Sequence, residues 1–169
     1  MTLYWDLIES PFATTFAAWV DEEGRLIRFN LNEKGAARQY KDAERNPRKL
    51  SDVRRQVNEY AKGKRQDFDF ELKAEGPDFH QRVWKALLKI PYGTTTYYGA
   101  IAKAVGTPDA ARAVGAANGA NPIALVVPCH RVIGKDGSLT GYGGGLPLKK
   151  RLLEHEARVA GTRFDLFSL

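Results

Sequence analysis

Cysteine is almost absent from this 169-residue chain, which has only Cys129. A lone thiol cannot close an internal disulfide, and with no second cysteine it cannot anchor a thiolate metal cluster. Histidine is nearly as scarce, limited to His80, His130 and His155. No apolar stretch approaches membrane-spanning length, so no transmembrane helix is predicted. Met1-Thr2-Leu3-Tyr4-Trp5-Asp6 has neither the basic start nor the apolar core of a secretory signal. The sequence therefore reads as cytoplasmic, where a thiol stays reduced. Internal repeats and low-complexity segments are also missing.

What is present fits an ordinary globular protein of one or two small domains, with 43% hydrophobic and 27% charged residues. The net charge of +6 is unevenly divided. Residues 1–75 carry 14 Lys and Arg against 14 Asp and Glu, whereas residues 76–169 carry 12 against 6. A basic segment beside a neutral one suggests a polyanion-binding face on the second.

Strand-like alternation opens the chain: Phe16, Ala18 and Val20 precede Asp21-Glu22-Glu23-Gly24, and Leu26, Ile27, Phe29 and Leu31 follow. This predicts a β-hairpin with an acidic turn. A charged stretch from Asn32 to Lys49 shows no clear period. Leu50, Val53, Val57 and Tyr60 then repeat at helical spacing up to Gly63, and Phe68, Phe70 and Leu72 alternate as a further strand. A boundary is expected near Ala74-Glu75-Gly76-Pro77, separating domains 1–75 and 76–169.

The second part reads as mainly helical. Asp78 is a candidate helix cap with Gln81 three residues on, and Phe79, Val83, Trp84, Leu87 and Leu88 form an apolar stripe that ends at Pro91-Tyr92-Gly93. Helices from Tyr98 to about Val105 and from Asp109 to about Asn118, joined at Gly106-Thr107-Pro108, make a helix-turn-helix pattern. An apolar run, Ile123 to Val127, reads as a strand leading to Pro128. The loop Gly141-Tyr142-Gly143-Gly144-Gly145 and an amphipathic helix from Leu148 to about Val159 complete the chain. The predicted class is α+β: a small N-terminal α/β domain with a β-hairpin, then a mainly helical, winged helix-turn-helix-like domain.

Chemistry concentrates in Pro128-Cys129-His130-Arg131-Val132. Free cysteine is commonly an inert core residue, and the preceding apolar run favours burial. An ordinary thiol, with pKa near 8.5, needs a neighbouring base or cation to ionise at neutral pH. His130 is adjacent, although neighbours on an extended strand point to opposite faces, which makes a water relay plausible. Glu154 and Glu156 both qualify as the acidic partner of that histidine, and spacing does not choose between them. His155 reads as a solvated helix residue. On the helix from Asp109, Ala110, Ala111, Ala113, Ala116 and Ala117 leave a surface flush enough to enter a groove, with Arg112 its only long cation. Gly115 costs about 1 kcal/mol relative to alanine at mid-helix, which close backbone approach would offset. The glycine-rich loop lacks the Lys-Ser or Lys-Thr ending of a phosphate cradle and leaves backbone groups uncovered for a flat ligand.

Together these residues resemble the O6-alkylguanine-DNA alkyltransferases, also called methylated-DNA–protein-cysteine methyltransferases. The motifs run in order through Gly76-Pro77-Asp78-Phe79, Ile90-Pro91-Tyr92-Gly93, Ala111-Arg112-Ala113-Val114-Gly115, Asn121-Pro122, Pro128-Cys129-His130-Arg131-Val132, Gly141-Tyr142-Gly143-Gly144-Gly145, Lys149 and Leu152-Leu153-Glu154-His155-Glu156. The N-terminal part matches only in outline, through Ser10-Pro11 and the hairpin.

The resemblance implies a single-turnover protein acting on double-stranded DNA containing O6-alkylguanine, with no cofactor and as a monomer. It implies Cys129 as nucleophile, His130 as water-linked base, Glu156 as its orienting carboxylate and Asn121 as a hinge residue. Tyr98 would donate toward the flipped guanine, and Lys149 would support it. Arg112 would fill the vacated place in the base stack, with Ala111 and Gly115 beside it. Val132, the Cys129 carbonyl and backbone groups at Tyr142 and Gly143 would read the guanine edge. Tyr97 stands where the family usually has a small residue such as serine, and Gly143 where some relatives have serine. The zinc site of some relatives is not expected here. A cysteine hydrolase is the rival enzyme class, but those proteins generally bring histidine from a distant segment, and no hydrolytic oxyanion motif is present. A non-catalytic lesion sensor is the other alternative, and relatives of that kind carry tryptophan at the cysteine position.

Overall fold

The computed structural model describes residues 1–163. They form two compact units: Met1–Ala74 with Pro122–Val126, and Glu75–Asn121 with the chain from Val127 onward.

The first unit is built on strands β1 (Tyr4–Glu9), β2 (Thr15–Val20), β3 (Leu26–Asn30) and β4 (Glu44–Arg45), ordered β3-β2-β1-β4. β2 is antiparallel to both β1 and β3, whereas β4 runs parallel to β1. The predicted hairpin is present. Its turn is held by Asp21, whose Oδ1 accepts from the backbone N–H groups of Glu23 and Arg25 at 3.0 and 2.9 Å while Gly24 supplies a φ of 81°.

Central position explains why alternation described β2 only in part. Phe16, Ala18 and Val20 are buried, but so are Ala17 and Trp19. This second face packs with Trp5 of β1 and with Ala36, Tyr40 and Ala43 from the stretch that showed no period. Helix α1 (Ser51–Ala61) buries Val53, Val57 and Tyr60 as expected.

Two expected strands do not form. Around Phe68-Phe70-Leu72 the pairing is one bridge, Leu26 with Leu72, and the aromatic residues stack instead, Phe68 on Tyr60 and Phe70 on Phe68. The Ile123–Val127 run pairs only at Ile123 with Phe29. Leu125 then takes a φ of 70°, a left-handed conformation incompatible with continuing a strand, although Ile123 to Val127 are all buried.

The second unit contains α2 (Asp78–Leu87), α3 (Tyr98–Ala104), α4 (Ala111–Gly119) and α5 (Leu146–Ala160), with a short parallel pair of β5 (Thr96–Tyr97) and β6 (Val132–Ile133). α3 and α4 form the predicted helix-turn-helix. Asp78 is not the cap of α2: Pro77 occupies that position, and Asp78 lies in the first turn, where its charge complements the helix dipole. Leu88 falls beyond the helix and is exposed, so the buried stripe is Val83, Trp84 and Leu87. The Trp84 indole N–H donates to the Ala117 carbonyl at 2.8 Å, fastening α2 to α4.

Candidate active site

Cys129, His130 and Arg131 form one turn of 3-10 helix between Pro128 and β6, not the extended strand expected. This changes the geometry around the thiol, because consecutive side chains on a tight helical turn fan around an axis rather than alternating across a sheet. The turn is anchored by the Cys129 N–H, which donates to the Val127 carbonyl at 2.7 Å. Asn121 and Asn118, at the end of α4, brace its entry and centre. Asn121 Nδ2 donates to the Val127 carbonyl at 2.9 Å and Asn118 Nδ2 to the Cys129 carbonyl at 3.4 Å.

The thiol is buried, and His130 behind it is fully enclosed. His130 Nε2 lies 2.7 Å from Glu156 Oε2 on α5. The same carboxylate receives Arg131 Nε on Oε1 at 2.7 Å and Nη2 on Oε2 at 3.2 Å. Arg131 also donates through Nη1 to the Ile90 carbonyl at 2.9 Å and stacks over the Tyr92 ring. Burial alone would raise the Glu156 pKa, but His130 and the Arg131 fork overcome it and hold the carboxyl well below its usual range. Burial lowers the His130 pKa despite Glu156. The imidazole is therefore neutral, its Nε2 proton donated to Glu156, and Nδ1 keeps a basic lone pair.

Of the two glutamates that spacing left open, Glu156 meets the histidine. Glu154 is exposed and lies 3.8 Å from Lys150. His155, expected in solvent, is buried with Nδ1 3.3 Å from Arg158 Nη2. The difference follows from α5 packing three consecutive residues, His155, Glu156 and Ala157, against the unit rather than a single stripe.

Lys149, two turns before Glu156 on the same face of α5, is fully buried and donates to the carbonyls of Val132 and Thr140 at 2.6 and 2.7 Å. Burial lowers its pKa to about 8. Tyr98 begins α3, and its hydroxyl lies 2.8 Å from Thr140 Oγ1. Lys149 and Tyr98 thus meet through Thr140, a residue that sequence reasoning missed because nothing in its neighbourhood sets it apart from an ordinary loop threonine. Asn118 was missed for the same reason, being one more polar residue at a helix end. Arg131 lay inside the recognised motif, yet only the fold shows that it shares Glu156 with His130.

Of the remaining predicted residues, Tyr142 packs edge to face on His130 with ring centroids 6.4 Å apart, and Val132 directly follows the turn. Ala111 and Arg112 are exposed on α4, and Arg112 has no hydrogen bond or ion pair among the described residues. A Cβ added at Gly115 would meet only Tyr98 Cδ1, at 4.0 Å, so packing within the protein does not demand glycine there. Val132 is buried with its carbonyl engaged by Lys149, and Gly143 is exposed with open space where a side chain would be. Tyr97 is 40% exposed beneath Lys135 Nζ, 5.7 Å from its ring centre.

Comparison with known proteins places this geometry. Residues 78–158 match the family model of the 6-O-methylguanine DNA methyltransferase DNA-binding domain. The methylated-DNA–protein-cysteine methyltransferase of Methanosarcina barkeri is 45% identical over 154 residues, covering 91% of this chain and 97% of the relative. This chain belongs to that family. A Mycobacterium tuberculosis methylated-DNA–protein-cysteine methyltransferase is 60% identical over 112 residues, 66% of this chain and 68% of its own. The crystal structure of Mycobacterium tuberculosis OGT in complex with DNA superposes with a TM-score of 0.85 at 45% identity, covering 94% of each chain. The family's α+β architecture agrees with the class read from the sequence.

Proposed function

We propose that this methyltransferase family member repairs DNA by extruding O6-alkylguanine from the duplex and transferring the alkyl group irreversibly to Cys129. The observation that carries the reading is the buried turn in which the sole thiol adjoins His130, whose Nε2 is committed to Glu156 while Nδ1 remains basic. Residues 76–169 supply DNA binding and chemistry, and the protein acts as a monomer.

The reacting carbon is hidden inside a duplex, so the nucleotide must leave the stack at a cost of a few kcal/mol. Arg112, exposed on α4 among small side chains, fills the space left behind. Ala111 and Gly115 let the helix approach the groove, and the uncovered loop at Tyr142 and Gly143 receives the flat base together with Val132 and the Cys129 carbonyl.

His130 Nδ1 takes the thiol proton through a water relay, and Glu156 stabilises the imidazolium that forms. The sulfur attacks in line with the bond to O6. An S–C bond forms as the C–O bond breaks, and its electron pair passes to guanine, which receives a proton from the Tyr98 hydroxyl positioned by Thr140. The Tyr98 phenolate regains its proton through solvent as the His130 imidazolium gives up the one it took, so overall guanine gains one hydrogen in place of the alkyl group and sulfur the alkyl group in place of hydrogen. A thioether is not hydrolysed by water, so each molecule acts once.

Titration with a duplex containing O6-methylguanine tests the proposal. Transfer saturating at one methyl group per chain, with Cys129→Ser binding the duplex but accepting none, is expected. Repeated turnover, or transfer by Cys129→Ser, would contradict it.

A further inference from the structure

Asn118, near the C-terminal end of α4, is only 5% exposed, and the two polar atoms of its amide fare differently. Nδ2 donates to the Cys129 carbonyl at 3.4 Å, whereas Oδ1 is buried with no hydrogen-bond partner among the described residues. The carbonyl fixes which atom faces it, since the nitrogen donates to it and the oxygen would repel it. A buried amide oxygen without a partner is unfavourable, and leucine would fill nearly the same volume without that cost. Asparagine at this position therefore calls for a donor that arrives when the site is at work. The Cys129 carbonyl was expected to read the guanine edge, but in the fold it already accepts twice, from the Val132 N–H that closes the reactive turn and from Asn118 Nδ2. A carbonyl oxygen has two lone pairs, so the acceptor left open on this pair of groups is Oδ1, carried on the same planar head as Nδ2.

We propose that Asn118 Oδ1 accepts a hydrogen bond from the 2-amino group of the extruded O6-alkylguanine, which makes Asn118 a specificity-determining residue for guanine. This rests on the reading of Cys129 as the residue that takes the alkyl group. The 2-amino group is the donor that sets guanine apart from adenine and hypoxanthine, so an acceptor beside the reactive residue selects the base as well as orienting it. The acceptor is held in place from three sides. Trp84 Nε1 donates to the carbonyl of Ala117, one residue before Asn118, and fixes α4 against α2. Asn121, three residues after, is bonded to the Val127 carbonyl at the entry to the reactive turn. The Nδ2 bond then ties the amide itself to the Cys129 backbone. An amide oxygen is also uncharged, and it adds no repulsion to the thiolate that forms nearby, as a carboxylate would.

Single-turnover methyl transfer from two duplexes tests this, one containing O6-methylguanine and the other O6-methylhypoxanthine, which differs only in lacking the 2-amino group. The parent protein should transfer faster from O6-methylguanine. Asn118→Leu should reduce that preference by about tenfold, chiefly by slowing transfer from the guanine substrate while transfer from the hypoxanthine substrate falls far less. A residue that merely supports the turn would slow both alike. Asn118→Met, whose unbranched side chain adapts to an irregular space, should narrow the preference in the same way and serves if the leucine variant folds poorly. Equal losses on the two duplexes, or a preference undiminished in the folded variant, would overturn the inference, as would a parent protein that does not distinguish the two substrates. The parent's transfer from O6-methylguanine keeps the two claims separate. A parent protein that takes no methyl group refutes the proposed function, whereas methylation of Cys129 with an undiminished preference in the variants refutes only the role of Asn118.

Discussion

Glu156 carries two interactions that the chain cannot satisfy in any other way, since it orients His130 and neutralises buried Arg131 at once. Glu156→Gln is therefore more than the loss of one hydrogen bond. It leaves a guanidinium buried without its counter-charge, and a loss of about 3–5 kcal/mol is expected. Urea unfolding should show it as a lower midpoint, and methyl transfer at neutral pH should slow with it. Acid should act in the same direction on the parent protein. His130 is held neutral in the fold below its ordinary pKa of 6.5, so below that pH the unfolded chain takes up a proton that the folded chain refuses. Glu156 is held ionised below its ordinary 4.5, so its contribution is complete above that pH and is lost as the pH falls through its depressed value in the fold. Urea midpoints should decline from pH 7 to pH 5 and again below 4.5. A flat profile over both ranges would mean that these groups are not buried in the protonation states assigned.

The role proposed for Arg112 depends on the helix that presents it. α4 shows Ala111, Ala113 and Ala116 to solvent around this single long side chain, and Gly115 is not required by internal packing. Arg112→Ala should slow transfer from duplex DNA on the order of tenfold to a hundredfold, about 1–3 kcal/mol of lost support for extrusion. Transfer from free O6-alkylguanine base, which needs no extrusion, should fall far less, and equal losses on the two substrates would make Arg112 merely structural. The elements carrying this surface were legible because amphipathic helices announce their faces: α1, α3, α4 and α5 lie close to where apolar spacing put them. Elements set by tertiary context were not. β1 lacks a clean alternation because Asp6 is buried by its ion pairs with Arg45 and Arg54, and the reactive turn coils because Leu125 has already broken the extended run before it. Cys129, His130 and Glu156, the proposed nucleophile and its partners, could be named from the family resemblance, and the fold joins the last two by a hydrogen bond. Thr140 and Asn118, whose roles depend on which carbonyl or hydroxyl the fold brings near, could not.

For the whole molecule, the charge division predicts where DNA is felt. Residues 1–75 are neutral and residues 76–169 carry the whole excess of +6. Neutralising exposed Lys103 or Lys135 should, where a phosphate contact is lost, reduce the salt dependence of DNA binding by about 0.9 per contact. Lys62, also exposed, is the matching control in the first segment. Arg54 is unsuitable because it pairs with buried Asp6 and its loss would disturb the fold. An equal change from Lys62 would mean that DNA also tracks across the first segment. The central claim, that this chain removes the lesion by becoming alkylated itself, is tested most directly by intact mass spectrometry with peptide mapping after incubation with excess O6-methylguanine duplex. The account predicts complete conversion to a species heavier by one methyl group in place of one hydrogen, located on the Cys129 peptide, with an equal amount of guanine restored in the DNA. An unchanged protein mass, a methyl group on any other residue, or more guanine restored than protein present would contradict it.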